Sequence, residues 1–197
     1  MKNLLKIASI VLLFSITLFG LTNKASAAKL TLYCSVEIDV CEMLEQAYEK
    51  ETGTKVAMTR ASSGETFAKI KAEASNPKGD VWFGGTGDPH LTAAQENLTE
   101  KYKSVHFNDL LPAAQNQAKN ADFKSVGIYV GALGFGYNKD LLAKKGLPAP
   151  KSWMDLTKPI YKGEIQVANP NSSGTAYTTL ATILQIFGED KGWDYMK

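Results

Sequence analysis

The pattern of apolar and polar residues predicts alternating strands and helices in the first half of the chain. Short apolar or alternating runs are typical of strands, whereas apolar residues that recur at helical spacing indicate helices. The predicted strands are residues 30–33, 54–59 and 80–83. The predicted helices are residues 40–48, 64–75 and 90–97. This alternation predicts a parallel sheet with right-handed crossovers, and therefore an α/β fold.

The second half of the chain begins another α/β unit. Residues 126–137 form an apolar run with four glycines, which favours a strand that bends or crosses between two lobes. Residues 164–168 predict a further strand, and residues 177–187 have strong helical periodicity. Ser152 is predicted to cap a turn that carries Trp153. No closing strand is visible after the last helix, so we expect the second unit to be incomplete.

Residues 1–27 have the pattern of a cleaved signal peptide. Lys2 and Lys6 precede the apolar run 7–21, which is shorter than the roughly 20 residues that span a bilayer. Ala25 and Ala27 supply the small residues that signal peptidase requires. We therefore expect cleavage after Ala27 and export to the periplasm, without a lipid anchor because no cysteine stands at the cut.

The composition, 44% hydrophobic and 21% charged, is that of a globular protein and excludes disordered, collagen-like and coiled-coil classes. The chain has 22 basic and 20 acidic residues, a net charge of +2. Three of the lysines lie in the leader, which has no acid, so the remainder holds 19 basic residues and carries a net charge of −1. Nucleic-acid-binding proteins normally have a basic excess, so we expect no nucleic-acid partner.

Cys34 and Cys41 are the two cysteines of the chain. Export permits oxidation, and an even count predicts a structural disulfide that ties the first strand to the first helix. The alternatives are a cysteine-ligated metal and a catalytic thiol. Both lack their usual partners, because there is no second cysteine pair and the histidines are His90 and His106 alone. We therefore expect no metal and no cofactor.

Two Ser-Ser-Gly turns, 62–64 and 172–174, each follow a predicted strand and open a helix. The start of a helix offers free N–H groups and a partial positive charge, which favour an anion. Since ligands of open α/β sheets lie at the carboxyl ends of strands, we expect the turns to face each other across a cleft if they belong to separate lobes. The alternative is that Ser62 and Glu65 form a capping box, which needs no ligand.

A glycine-rich loop, residues 84–87, follows the third predicted strand, where backbone can approach a ligand closely. The loop does not have the G-x-G-x-x-G dinucleotide pattern, and the chain contains no G-x-S-x-G motif. Asp88 and His90 nearby suggest the alternative of a secreted α/β hydrolase or transferase. Because no third catalytic or metal-ligating group accompanies them, we expect the protein not to be an enzyme.

Several segments resemble periplasmic solute-binding proteins of ABC importers. The closest resemblance is to the ferric-iron-binding (iron(III) transport) type, a type II periplasmic binding protein group that includes binders of phosphonates, sugar phosphates and thiamine. The segments are Leu32-Tyr33-Cys34-Ser35, Ser62-Ser63-Gly64-Glu65, Ala72-Glu73 through Asn76-Pro77, Asp80-Val81-Trp82-Phe83-Gly84-Gly85, Gly134-Phe135-Gly136-Tyr137-Asn138 and Pro170-Asn171-Ser172-Ser173-Gly174-Thr175.

The resemblance implies a bilobed α/β fold that closes on a solute by a hinge motion. Lobe one would comprise residues 28–128, and residues 129–197 would form the interlobe crossing and part of lobe two. Lobe two and the return strands of lobe one are expected to be incomplete, as in a truncated reading frame. The implied ligand-binding residues are Ser35, Ser62, Ser63, Gly64, Gly84, Gly85, Thr86, Ser172, Ser173, Gly174 and Thr175.

The implied function is capture of a small anionic solute, such as a phosphorylated compound, by a monomer that delivers it to a membrane permease. Ferric-ion binders of this family resemble one another in having a His after the first strand and a Glu after the third. Glu37 and Gly85 stand at those places here, and loss of the acid disfavours iron. Direct ferric-ion binding, thiamine binding and a non-functional fragment are the alternatives.

Overall fold

A computed structural model describes residues 29–197. The predicted signal peptide and its cleavage site after Ala27 lie outside the described residues.

Three parallel strands form the sheet, as the alternation of strands and helices predicts. They are β1 (Lys29–Cys34), β2 (Lys55–Arg60) and β3 (Val81–Phe83), in the order β2-β1-β3. Cys34 pairs with Arg60 on one side and with Phe83 on the other, so the three strands end at the same level. The loops that follow the strands therefore meet at one edge of the sheet.

Three predicted helices of the first half are present. They are α1 (Ile38–Thr52), α2 (Ser63–Ala72) and α3 (Gly87–Gln95). Gly53 ends α1 in the left-handed conformation at φ 71°, where glycine avoids the strain of a Cβ. The prediction for α3 was about three residues too late. Among residues 29–197, no helix has the length and apolar composition needed to cross a membrane.

The helix α4 (Pro112–Asn120) was not predicted, because its sequence is rich in alanine, glutamine and asparagine and lacks an apolar stripe. Ala118 is its single buried residue. Two further helices, α5 (Lys139–Lys145) and α7 (Glu189–Tyr195), are also absent from the sequence prediction. Both span 7 residues, too few for a periodic pattern to stand out.

The predicted helix of the second half is confirmed as α6 (Gly174–Phe187). The predicted Ser152 cap is confirmed as well, since Ser152 Oγ accepts a hydrogen bond of 3.2 Å from the Asp155 N–H. The capped turn is a short 3-10 helix over Trp153–Thr157.

The strands predicted at 126–137 and 164–168 are not formed. Neither segment pairs with another strand within residues 29–197, and a strand requires the hydrogen-bonded ladder of a neighbour. Apolar side chains of both segments are exposed, with Val130 at 85% and Val167 at 67%. Apolar residues alone therefore gave the wrong prediction for both segments.

The predicted disulfide between Cys34 and Cys41 is confirmed, with the two Cα atoms 6.0 Å apart. It joins the end of β1 to α1, and both cysteines are fully buried. Together with Leu32 they form the centre of the core, which is covered by partly buried apolar residues. These residues are Leu30, Val36, Val56, Met58 and Phe83. The core thus lies directly beneath the carboxyl edge of the sheet.

Candidate functional site

The two Ser-Ser-Gly turns are in direct contact. Gly64 N–H donates a 3.0 Å hydrogen bond to the carbonyl oxygen of Ser172. The Ser62 hydroxyl lies 2.6 Å from the same oxygen. A Cβ atom on Gly64 would lie 2.6 Å from the Asn171 carbonyl oxygen, so this approach requires glycine. The starts of α2 and α6 therefore meet, although 110 residues separate Ser62 from Ser172 in the sequence.

The loop after β3 joins the same contact. Thr86 N–H donates a 3.1 Å hydrogen bond to Ser63 Oγ. A Cβ on Gly174 would collide with Thr86 Oγ1 and would lie 2.8 Å from Ser63 Oγ. The backbone at the start of α6 therefore packs directly against these two hydroxyl groups. We refer to residues 62–64, 84–86 and 172–174 as the three-turn junction.

The hydroxyl of Thr86 is buried at the three-turn junction and has no hydrogen-bond partner within the described residues. A buried polar atom without a partner is costly, so native structures retain few of them. Thr86 Oγ1 is positioned between the starts of two helices, where anionic ligands are favoured. The Thr86 hydroxyl is thus a buried group at the junction that can still donate a hydrogen bond to an additional acceptor.

Ser35 lies beside the junction, and its hydroxyl is already engaged. Its Oγ accepts a 3.0 Å hydrogen bond from Trp82 Nε1–H and lies 3.1 Å from Thr66 Oγ1. A Cβ on Gly85 would lie 3.1 Å from Ser35 Cβ, so Ser35 forms part of the floor beneath the loop.

Glu65 occupies part of the start of α2, as the capping-box alternative proposed. Its carboxylate accepts hydrogen bonds from the Ser62 N–H at 3.0 Å and from the Ser62 hydroxyl at 2.7 Å. The bond from the hydroxyl, followed by the bond from the N–H, lowers the pKa of Glu65. The Ser62 N–H therefore already has an anionic partner within the protein.

The turn before α6 is held by Asn169. Its carbonyl oxygen accepts hydrogen bonds from the N–H groups of Ser172, at 3.1 Å, and Ser173, at 2.9 Å. Ser173 Oγ caps α6 by accepting a 3.3 Å hydrogen bond from the Ala176 N–H. Gly174 is buried against the other turns, whereas Thr175 is exposed. Of the residues predicted in this turn, Ser172 and Gly174 make the contacts with the other two turns of the junction.

His90 has a role in holding the loop. Its Nε2 lies 2.8 Å from the Gly84 carbonyl oxygen, which can only accept, so Nε2 carries the proton. The ring stacks on Trp82 with the centroids 3.6 Å apart. Burial lowers the pKa of His90, and the bond to Gly84 partly opposes that effect. Asp88, its suggested catalytic partner, is exposed in the first turn of α3.

Sequence reasoning missed Thr66, Trp82 and Tyr129 at this site. The Tyr129 hydroxyl accepts a 2.7 Å hydrogen bond from the Gly85 N–H and donates a 2.8 Å bond to the Gly85 carbonyl oxygen. Trp82 could have been suspected from its place at the end of β3. Tyr129 carries no such signal, because it lies in a segment without regular structure 44 residues from Gly85.

The junction offers hydroxyls and backbone N–H groups, and the residues that meet there include neither lysine nor arginine. Within residues 29–197, no three or more histidines, cysteines, aspartates or glutamates are grouped so that they could hold a metal ion. Hydroxyls and N–H groups at helix starts suit the oxygen atoms of phosphates and carboxylates.

Residues 80–197 match the family model described as bacterial extracellular solute-binding protein. The chain belongs to this family. An uncharacterized protein of Haemophilus influenzae is 42% identical over the whole of this chain, which covers 56% of that relative. A probable ABC transporter periplasmic-binding protein of Sinorhizobium fredii, y4fP, is 32% identical over 77% of the chain and 42% of its own length.

The periplasmic binding protein AfuA of Actinobacillus pleuropneumoniae, with exogenous fructose-6-phosphate bound, is a structural neighbour. It superimposes with a TM-score of 0.83 and 45% identity over 87% of this chain and 54% of its own. The expected type II periplasmic-binding-protein-like fold is thereby confirmed. The chain spans about half the length of the curated relatives it matches.

Proposed function

We propose that this protein is the periplasmic substrate-binding component of an ABC importer and that its three-turn junction binds the anionic group of a small phosphorylated solute. The observation that carries the proposal is the buried, unpaired hydroxyl of Thr86 between the starts of α2 and α6. A phosphate oxygen would give this hydroxyl the acceptor that it lacks.

The chemistry of the junction favours a phosphate over the alternatives. Phosphate oxygens accept hydrogen bonds from hydroxyls and from N–H groups at helix starts. The partial positive charges at the starts of two helices also attract the negative charge of the ligand. Hard Fe(III) would require anionic oxygen ligands, and Gly85 stands where such an acid was expected. Positively charged thiamine would meet the partial positive charges of two helix starts, and the nearby Glu65 carboxylate is already hydrogen-bonded to Ser62.

One structural neighbour supports the same ligand class, and one relative supports the role in an ABC importer. AfuA has fructose-6-phosphate bound, and y4fP is described as a probable ABC transporter periplasmic-binding protein. We extend both descriptions to this chain. In this proposal the signal peptide at residues 1–27 directs export, and the mature protein acts as a monomer that delivers its solute to a membrane permease. The lobe boundaries 28–128 and 129–197 are part of this proposal, as are the binding roles of the predicted residues.

Titration calorimetry of the purified chain with fructose 6-phosphate tests the proposal. We expect binding that leaves the sugar phosphate chemically unchanged, as recovery of the compound would verify. Inorganic phosphate, ferric ion and thiamine serve as parallel probes. Binding of ferric ion or thiamine without any response to the phosphorylated compound would overturn the assignment, and turnover of the sugar phosphate would indicate an enzyme.

Substitution of Thr86 by valine provides the residue-level prediction. Thr86→Val keeps the shape of the side chain and removes the hydroxyl, so affinity for fructose 6-phosphate should fall about tenfold, as expected for a hydrogen bond to a charged group. Thr99→Val is the matched control, because Thr99 Oγ1 is also buried without a partner among the described residues but lies outside the junction. Equal affinities of the two variants would contradict the proposed site.

A further inference from the structure

Tyr129 links the loop after β3 to the segment that leads toward the second half of the molecule. Its hydroxyl binds both backbone groups of a single residue, accepting from the Gly85 N–H at 2.7 Å and donating to the Gly85 carbonyl at 2.8 Å. The side chain as a whole is 56% exposed. Packing therefore does not fix the ring tightly, and the two hydrogen bonds are what orient it.

The loop that Tyr129 holds has an uncommon conformation. Gly84 and Gly85 have φ values of 79° and 88°, a region open to glycine but unfavourable for other residues. Glycine is also the residue with the most alternative conformations, so two in succession need outside contacts to stay in one arrangement. His90 supplies one contact at the Gly84 carbonyl, and Tyr129 supplies two at Gly85.

The orientation of Gly85 determines where Thr86 lies. The Gly85 carbonyl belongs to the peptide unit that continues into the Thr86 N–H, and this N–H donates to Ser63 Oγ at 3.1 Å. Tyr129 thus fixes one end of the peptide unit and Ser63 the other. Rotation of this unit would break the bond to Ser63 and move the unpaired Thr86 hydroxyl away from the start of α6.

We propose that Tyr129 is a positioning residue that holds the Gly84–Thr86 loop in the form that binds the anion. The inference rests on the proposed function of the three-turn junction and adds to it a side chain that acts through Gly85 without touching the ligand. It also assigns a role to the segment 126–137, which sequence reasoning interpreted as a strand.

Replacement of Tyr129 by phenylalanine removes the hydroxyl and keeps the ring. We expect Tyr129→Phe to weaken binding of fructose 6-phosphate about tenfold, the effect of losing hydrogen bonds that stabilise the binding conformation. Tyr137→Phe is the matched control, because Tyr137 lies in the same segment, is similarly exposed, and its hydroxyl makes no hydrogen bond to residues 29–197. Its affinity should equal that of the wild type.

Amide hydrogen exchange without ligand gives a second readout, which a general loss of stability would not reproduce. In Tyr129→Phe the Gly85 amide should exchange faster, while the amides of β1 keep their protection and the melting temperature stays near that of the wild type. Faster exchange throughout β1 would indicate global destabilisation and overturn the inference.

The calorimetric outcomes separate the two proposals. Wild-type affinity in Tyr129→Phe, or unchanged exchange at Gly85, would overturn the positioning role and leave the proposed function standing. Failure of the wild type itself to bind fructose 6-phosphate and inorganic phosphate would overturn the proposed function, and the positioning role with it.

Discussion

At the scale of single residues, His90, which the sequence offered as a catalytic candidate, instead supports the loop at residues 84–87. Its ring is stacked on Trp82 and its Nε2–H donates to the Gly84 carbonyl. Burial lowers its pKa, so the neutral ring is the form that suits the folded protein. His90 and Tyr129 thus approach the two glycines of the loop from different elements, one from α3 and one from the segment 126–137.

The lowered pKa of His90 predicts a loss of stability in mild acid. In the unfolded chain histidine titrates near a pKa of about 6.5, so below that pH the unfolded state binds the extra proton first. The stabilisation by neutral His90 is thus complete above about pH 6.5 and declines as the pH falls toward the lowered pKa. Thermal melts between pH 7.5 and 5 should show this decline, and His90→Gln should reduce its slope.

His106→Gln is the control for this experiment, because the His106 side chain is exposed and does not contact the loop that His90 holds. Its melts should keep the wild-type dependence on pH. If His90→Gln retained the full acid sensitivity, other groups would be responsible for it.

At the scale of secondary-structure elements, the sequence predicts best where periodic burial decides the structure. In β1 the apolar residues do face the core, whereas in α1 the periodic residues Val40, Met43 and Tyr48 are exposed and Cys41 is the buried one. The spacing of apolar residues therefore predicts the type of each element correctly, although it does not predict which side chains of α1 are buried. The helix α4 buries Ala118 alone, so no apolar stripe marks it. Segments 126–137 and 164–168 have the composition of strands, but a strand also depends on a partner, which the residues of the segment do not reveal.

The candidate site likewise contains residues that a local sequence pattern predicts and residues whose role depends on distant parts of the chain. Ser63, Gly64 and Gly174 could be predicted because each opens a helix after a predicted strand, and helix starts have a general affinity for anions. Tyr129 could not, because its role depends on the path of a segment without regular hydrogen bonding. Distance along the chain, 44 residues to Gly85, gives no hint that the two meet.

The disulfide supplies a prediction at the scale of the β1–α1 unit. Closing the short loop between Cys34 and Cys41 should stabilise the fold by about 2.5 kcal/mol in the chain-entropy model. Urea unfolding with and without a reductant measures this difference. The double variant Cys34→Ala, Cys41→Ala should be less stable than the oxidised protein and should not respond to reductant. A reductant response in that variant would show that the effect arises elsewhere.

At the scale of the whole molecule, the three-turn junction connects parts of the chain that no sheet contact joins. Its members come from residues before 87 and after 171, and the sheet contains residues of the first group alone. The hydrogen bond from the Gly64 N–H to the Ser172 carbonyl oxygen, which also lies 2.6 Å from the Ser62 hydroxyl, therefore holds the second half against the first. A ligand shared by both helix starts would strengthen this connection.

Ligand binding should consequently stabilise both halves together. At a fructose 6-phosphate concentration of 100 times Kd, the free energy of unfolding should rise by about 2.7 kcal/mol, since the ligand binds the folded state alone. Calorimetric melts should show one transition that moves upward with ligand. Two transitions, one of them insensitive to the sugar phosphate, would contradict a site formed by both halves. Absence of any cooperative transition would indicate a non-functional fragment.

The Ser62 hydroxyl has one proton and two acceptors within reach, the Glu65 carboxylate at 2.7 Å and the Ser172 carbonyl at 2.6 Å. One acceptor belongs to its own helix and the other to the opposite turn. If the two turns separate, the Ser62 hydroxyl can direct its proton to Glu65 alone. The hydroxyl therefore remains hydrogen-bonded after separation. Opening then exposes the Gly64 N–H, which water or an arriving anion can occupy. Separation of the two turns would therefore cost the hydrogen bond of the Gly64 N–H to Ser172, but it would leave the Ser62 hydroxyl with an acceptor.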